Sequence, residues 1–125
     1  MPDFKYKGKV YFNPVQLVME QICGTWKTPI LWSLKDNIMR YGELCKDILH
    51  ISDNMLTTQL RQLEEVGYVK RKVYPVVPPK TEYSLTKNGE EILKLINIIK
   101  NYGLKMIQDN DVTKNIYSKT RLKMI

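Results

Sequence analysis

The chain has 125 residues, with 20 Lys and Arg against 13 Asp and Glu and a formal net charge of +7 at neutral pH. That length accommodates one compact domain, and 43% hydrophobic with 26% charged residues is a globular composition that excludes a disordered polyelectrolyte. The basic excess points to an anionic partner, nucleic acid or an acidic membrane surface, while no stretch reaches the roughly 20 continuous apolar residues of a membrane span.

In chain order, residues 1–13 mix lysines with aromatics without a helical period and read as an N-terminal arm, ordered only against something else. The first five residues lack the apolar stretch of a signal peptide, so a cytoplasmic protein is expected. Pro14 opens a first helix, with Val15, Val18, Met19 and Ile22 at helical spacing and Cys23-Gly24 closing it. A second helix carries Trp26, Ile30, Leu31 and Leu34 on one side. Pro29 must lie in its first turn, because a mid-helix proline costs about 3 kcal/mol, and Thr28 is a plausible cap. After the polar break Lys35-Asp36-Asn37, the spacing of Tyr41, Leu44 and Ile48 predicts a third helix with one buried stripe.

Ser52 can cap a fourth helix by accepting the backbone N–H of residue 54 or 55, and Gly67 can stop it. With Leu56, Leu60 and Leu63 inward, the opposite face carries Asn54, Thr58 and Arg61, flanked by Met55, Thr57 and Gln62. From Tyr68 the period changes to two. Val69, Arg71 and Val73 alternate with Lys70, Lys72 and Tyr74, and beyond a proline-rich tip at 75–79 a second strand runs over 81–85, so the pair forms a projecting hairpin. Thr86 can cap a last helix whose apolar positions, Ile92, Leu93, Ile96, Ile99, Tyr102 and Met106, exceed what one small core requires. That surplus points to a partner subunit.

Catalytic resources are thin: one histidine, His50, with no Gly-rich phosphate loop, HExxH or nucleophile elbow. Cys23 and Cys45 have neither CxxC nor zinc-ligand spacing and read as free thiols. No enzyme activity, cofactor or metal site is expected.

Specific segments then carry a resemblance. They are Gly24-Thr25-Trp26-Lys27-Thr28-Pro29-Ile30-Leu31, Arg40-Tyr41-Gly42-Glu43-Leu44, the run from Ile51 through Leu60-Arg61-Gln62-Leu63-Glu64, Gly67-Tyr68-Val69, and Val73-Tyr74-Pro75 through Thr81-Glu82-Tyr83-Ser84-Leu85-Thr86, followed by Gly89. In this order and spacing, from Asn13 to about Gly103, the chain resembles the HxlR family of bacterial winged-helix transcriptional regulators, a group similar to the MarR regulators. The resemblance implies a prokaryotic homodimer with N- and C-terminal helices at the dimer interface, one recognition helix per subunit in the major groove, and wings near the flanking backbone. Two departures stand out. Asn13 occupies the position before the helix-opening proline where family members commonly carry a cysteine, in some a sensor of oxidants. Leu49-His50 replaces the usual Pro-Gly, which places His50 in the turn of the helix-turn-helix.

The fold expected is mainly α (α+β), a winged helix-turn-helix with a two-stranded wing and additional terminal dimerisation helices. The DNA-binding domain with its dimerisation helices spans 14–109 and a basic tail 110–125. The partner expected is double-stranded DNA carrying an inverted repeat, since a two-fold protein matches a two-fold site, and the sign expected by family analogy is repression. Base-facing candidates are Asn54, Thr58, Arg61, Thr57 and Gln62; backbone-facing candidates are Ser52, Lys70, Lys72, Lys80, Arg71 and Arg40. The fourth helix is itself net acidic, so attraction must come from the wing, with Lys27, Arg40 and Lys46 dispersed over the scaffold. Arg71, on the strand face shared with the valines, suits a structural ion pair as well as a phosphate. Trp26 and Tyr41 read as core. Cys23 is the candidate sensor thiol, and the basic stretch 114–125 suits a DNA arm or an extension of the dimer helix. The rival readings are a winged-helix module that binds protein, and a thiol- or ligand-gated version of the regulator.

Overall fold

The computed structural model describes residues 3–110, and the basic tail lies outside the described residues beyond its first position. Two helices start on the caps that the sequence designates, Ser52 and Thr86, and a third starts at Pro14 as expected, with Asn13 as a cap that the sequence reading did not name. Asn13 Oδ1 accepts the Gln16 N–H at 2.7 Å, with Pro14 in the first turn, to open α1 (Pro14–Ile22). Ser52 Oγ accepts the Met55 N–H at 3.1 Å to open α4 (Asp53–Glu65), and Thr86 Oγ1 accepts the Gly89 N–H at 3.0 Å to open α5 (Lys87–Asn110). Each such cap satisfies a backbone donor that would otherwise lack a partner and is worth about 1 kcal/mol. The second helix departs from this pattern. In α2 (Lys27–Ser33) Trp26 holds the cap position without a side-chain bond, so Thr28 lies inside the first turn and is not the cap.

The core is built where the apolar periods predict. Ile30, Leu31 and Leu34 of α2 and its C-cap, Leu44 of α3 (Tyr41–Asp47), and Leu56, Leu60 and Leu63 of α4 are all essentially inaccessible. The strands β4 (Val69–Tyr74) and β5 (Lys80–Leu85) pair antiparallel from Val69↔Leu85 to Tyr74↔Lys80, which makes the expected wing. A third, two-residue strand that the sequence reading did not place, β3 (Met39–Arg40), pairs with the other edge of β5, giving the order β3-β5-β4. Only Val69 of β4 is buried. The hairpin outruns the core, so Arg71 and Val73, expected to face inward with it, are exposed.

The amino terminus corrects the expectation of an unpaired arm. β1 (Phe4–Tyr6) and β2 (Lys9–Tyr11) form an antiparallel hairpin about Lys7 and Gly8, both with positive φ, the backbone of a two-residue turn that matches strand twist. Tyr11 is buried and stacks on Phe4, and Lys9 pairs with Glu20 of α1, which raises the lysine pKa and lowers the carboxylate's. Helix α5 divides in two. Ile92, Leu93 and Ile96 bury against the domain, whereas Ile98, Ile99, Tyr102 and Met106 stand exposed. No helix of the described residues is long and apolar enough to cross a membrane.

Candidate nucleic-acid interface

Helices α3 and α4 meet through a turn in which His50 adopts φ 69°, and the packing of Leu56, Leu60 and Leu63 decides which face of α4 is left outward. Asn54, Thr57, Thr58, Arg61 and Gln62 are all exposed on it, as the 100° helical period requires once the leucines are inward. Their hydrogen bonds are not equivalent. Asn54 and Arg61 have side chains without an intramolecular partner among the described residues, so the amide and the guanidinium are both available for bidentate contacts. Gln62 Oε1 accepts from Lys27 Nζ at 2.7 Å, which occupies one of its two lone pairs and leaves the NH2 group free to donate. Thr58 Oγ1 donates to the Asn54 carbonyl at 2.8 Å, and Thr57 Oγ1 lies 3.1 Å from the Tyr41 hydroxyl.

Tyr41 is the residue whose role at this surface the sequence reading missed. Its ring packs against the core as expected, but its hydroxyl donates to the Asp53 carbonyl at 2.8 Å as well as meeting Thr57, so α3 grips the first turns of α4. A tyrosine on an otherwise aliphatic stripe was the available signal, since a buried ring with a polar tip usually finds a partner for it. Beside this contact, Cys45 Sγ lies 3.5 Å from Asp53 Oδ1, and burial, reinforced by that carboxylate, pushes the thiol pKa up. Cys23 is exposed at the C-cap of α1.

The wing cations divide between the two faces of β4, with Arg71 towards α4 and Lys70 and Lys72 on the opposite face, beside Asp36, Glu82 and Glu90. Lys70 and Lys72 project from β4, and Lys72 and Lys80 each place Nζ 4.9 Å from the centre of the Tyr74 ring, so one aromatic ring organises two wing-tip charges. Arg71 Nε sits 3.5 Å from Glu64 Oε1, the structural pairing its strand face allowed. Arg40 is exposed at the end of β3, and its register places Glu82 between it and Lys72, so the wing surface is mixed rather than uniformly basic. Ser52 is exposed at the start of α4 with its hydroxyl committed to the cap.

This arrangement has close counterparts. The model of the HxlR-like helix-turn-helix family matches residues 21–111. An uncharacterised HTH-type transcriptional regulator of Methanothermobacter thermautotrophicus is 38% identical over 93 residues, 74% of this chain and 71% of that protein. Among solved structures, a MarR-family regulator from Porphyromonas gingivalis W83 superposes with a TM-score of 0.69 at 42% identity, covering 73% of this chain and 89% of the other. The reduced form of the redox regulator HypR superposes with a TM-score of 0.72 at 37% identity, covering 78% and 95%. Three leucines under a polar helix face, a lysine-bearing wing and these matches lead to one conclusion: the chain belongs to the HxlR-like helix-turn-helix family of DNA-binding transcriptional regulators, a class without enzymatic activity.

Proposed function

We propose that the chain acts as a homodimer that binds an inverted-repeat operator, with α4 in the major groove of each half-site and the wing near the flanking backbone, and that it represses the genes it controls. The observation that carries this reading is the exposed row Asn54, Thr58 and Arg61 on a helix held rigidly by three inaccessible leucines. Such a helix can enter a groove without repacking. Arg61 suits guanine O6 and N7, and Asn54 suits adenine N6 and N7. Lys70, Lys72 and Lys80 supply charge to phosphates, Arg40 and the exposed start of α4 at Ser52 add to that flank, and Arg71 contributes through its Glu64 pairing. Support for the dimer is the apolar half of α5, whose Ile98 and Tyr102 are 65% and 67% exposed, joined by Val15 and Met19 of α1. Repression rests on the family resemblance. The DNA-binding domain is taken to span 14–109, with the basic tail following it.

A thiol-gated version has weaker support. Asn13 stands at the position where the family commonly has a cysteine, and here its side chain caps α1. The raised pKa of Cys45 disfavours its nucleophilic thiolate. Cys23 is the thiol left exposed.

The test is selection of duplexes from a random pool, followed by affinity measurements across salt concentrations. Steep salt dependence is expected, with the log-log slope falling by about 2 in the Lys70→Ala, Lys72→Ala variant at an expected 0.9 per phosphate. Arg61→Ala should relax the preference at one base pair per half-site, at about 1–3 kcal/mol of discrimination. A folded dimer that binds no duplex, or binds with no salt dependence, overturns the reading in favour of a protein-binding module.

A further inference from the structure

We infer that α4 recognises thymine through the methyl groups of Thr57 and Thr58, and that Tyr41 is the positioning residue that presents Thr57 for it. The inference rests on the DNA-binding reading above and follows from counting protons. A phenol carries one hydrogen, and that of Tyr41 goes to the Asp53 carbonyl, which can only accept. At the 3.1 Å contact between Tyr41 and Thr57 the donor is therefore the threonine hydroxyl. Thr58 likewise spends its proton on the Asn54 carbonyl. Both threonines are exposed, yet neither has a hydroxyl hydrogen left for a base.

What each offers the groove is a methyl group and an acceptor lone pair. Guanine O6 and N7 and thymine O4 are acceptors, so they gain no hydrogen bond from these side chains. An A·T pair supplies the complement, with the thymine C5-methyl for the threonine methyls and the adenine N6 hydrogens for the lone pairs. A G·C pair offers the cytosine N4 hydrogens but no methyl group. Tyr41 matters because it draws the Thr57 hydroxyl towards α3, so the methyl is the γ-substituent left for the DNA. The donors on the same face, Asn54 and Arg61, then read the neighbouring pairs.

The experiment uses the full chain and a duplex selected from a random pool, in which each thymine is replaced in turn by deoxyuridine, removing only the methyl group. Binding is followed by fluorescence anisotropy. At one or two thymines per half-site the replacement should weaken binding about fourfold, the effect of losing one buried methyl contact. The T57S/T58S variant keeps both hydroxyls and lacks both methyls, so it should bind thymine and deoxyuridine duplexes equally. T57V/T58V presents a methyl at either γ-position and should preserve the ratio. Y41F, which removes the phenol that draws the Thr57 hydroxyl, should lower the ratio in the parent but not in the valine background, and an unchanged ratio in Y41F overturns the positioning role of Tyr41. The inference is overturned if no thymine responds to loss of its methyl group, if the serine variant retains the ratio, or if the valine variant loses it. A chain that selects no duplex overturns the DNA-binding reading itself, a result distinct from each of these.

Discussion

His50 occupies a backbone conformation that side chains resist. Its φ of 69° lies in the left-handed region, where a Cβ crowds the following carbonyl at a cost of about 1–2 kcal/mol, and it stands where the family commonly places glycine. The tight turn between α3 and α4 requires that geometry whichever residue is present. His50→Gly is expected to raise unfolding stability by about 0.5–1 kcal/mol, the steric relief less the extra chain entropy of glycine, as a shift in denaturant midpoint at unchanged m-value. A variant equal to or less stable than the parent would show that the turn carries no strain. Position 50 was legible as a turn from the sequence, but its strain was not, because φ is set by the helices on either side. Tyr41 and Gln62 teach the same lesson. Their faces could be read in advance, Tyr41 towards the core and Gln62 outward, whereas their hydrogen-bond partners, Asp53, Thr57 and Lys27, depend on how three helices cross.

Elements with their own punctuation were the legible ones. Pro14, Ser52, Gly67 and Thr86 mark ends by local chemistry that needs no tertiary context. β3 has no such mark, because two residues carry no period and Met39–Arg40 becomes a strand only when the edge of β5 is present to pair with it. The amino-terminal hairpin had a signal in Lys7-Gly8 between alternating aromatics, weaker than Asn-Gly because lysine does not favour positive φ. Between elements, a close join forms where the end of α4 meets the start of α5. Thr86 Oγ1 donates to the Gly67 carbonyl while accepting from the Gly89 N–H, and the Thr86 N–H donates to the Tyr68 carbonyl at 3.1 Å. A Cβ on Gly89 would come within 2.1 Å of that same Tyr68 carbonyl oxygen. Gly89→Ala should therefore destabilise the protein by about 1–3 kcal/mol in chemical denaturation, even though alanine is the better helix former by about 1 kcal/mol. A neutral or stabilising result would mean that the two backbones can separate without cost.

For the molecule as a whole, the unresolved need is cover for apolar surface. Ile98, Ile99, Tyr102 and Met106 lie on the part of α5 beyond its buried stripe; the sequence signalled Ile99, Tyr102 and Met106 as surplus, and Ile98 joins them in the structure. Trp32 secures the base of this segment, with Lys100 Nζ 4.6 Å and Lys35 Nζ 4.9 Å from its ring centre. In the proposed dimer, Ile99→Glu would put an uncompensated carboxylate into the contact while leaving the subunit core untouched. Sedimentation should then show a dimer dissociation constant raised about 100-fold or more, with operator affinity falling alongside. Unchanged association would remove α5 from the interface.

The junction of Gly67 and Tyr68 with Thr86 and Gly89 has a further consequence once two subunits are considered. It makes α4 and α5 a single lever, so the angle between reading face and dimer stripe is fixed by the number of residues from Thr86 to Ile98. One residue more or fewer would turn the stripe by about 100° relative to α4. Each subunit would keep its own half-site contacts, but the pair would fall out of phase with the double helix. In the proposed dimer, the distance between half-sites would thus be written in the length of α5, outside the helix proposed to read bases.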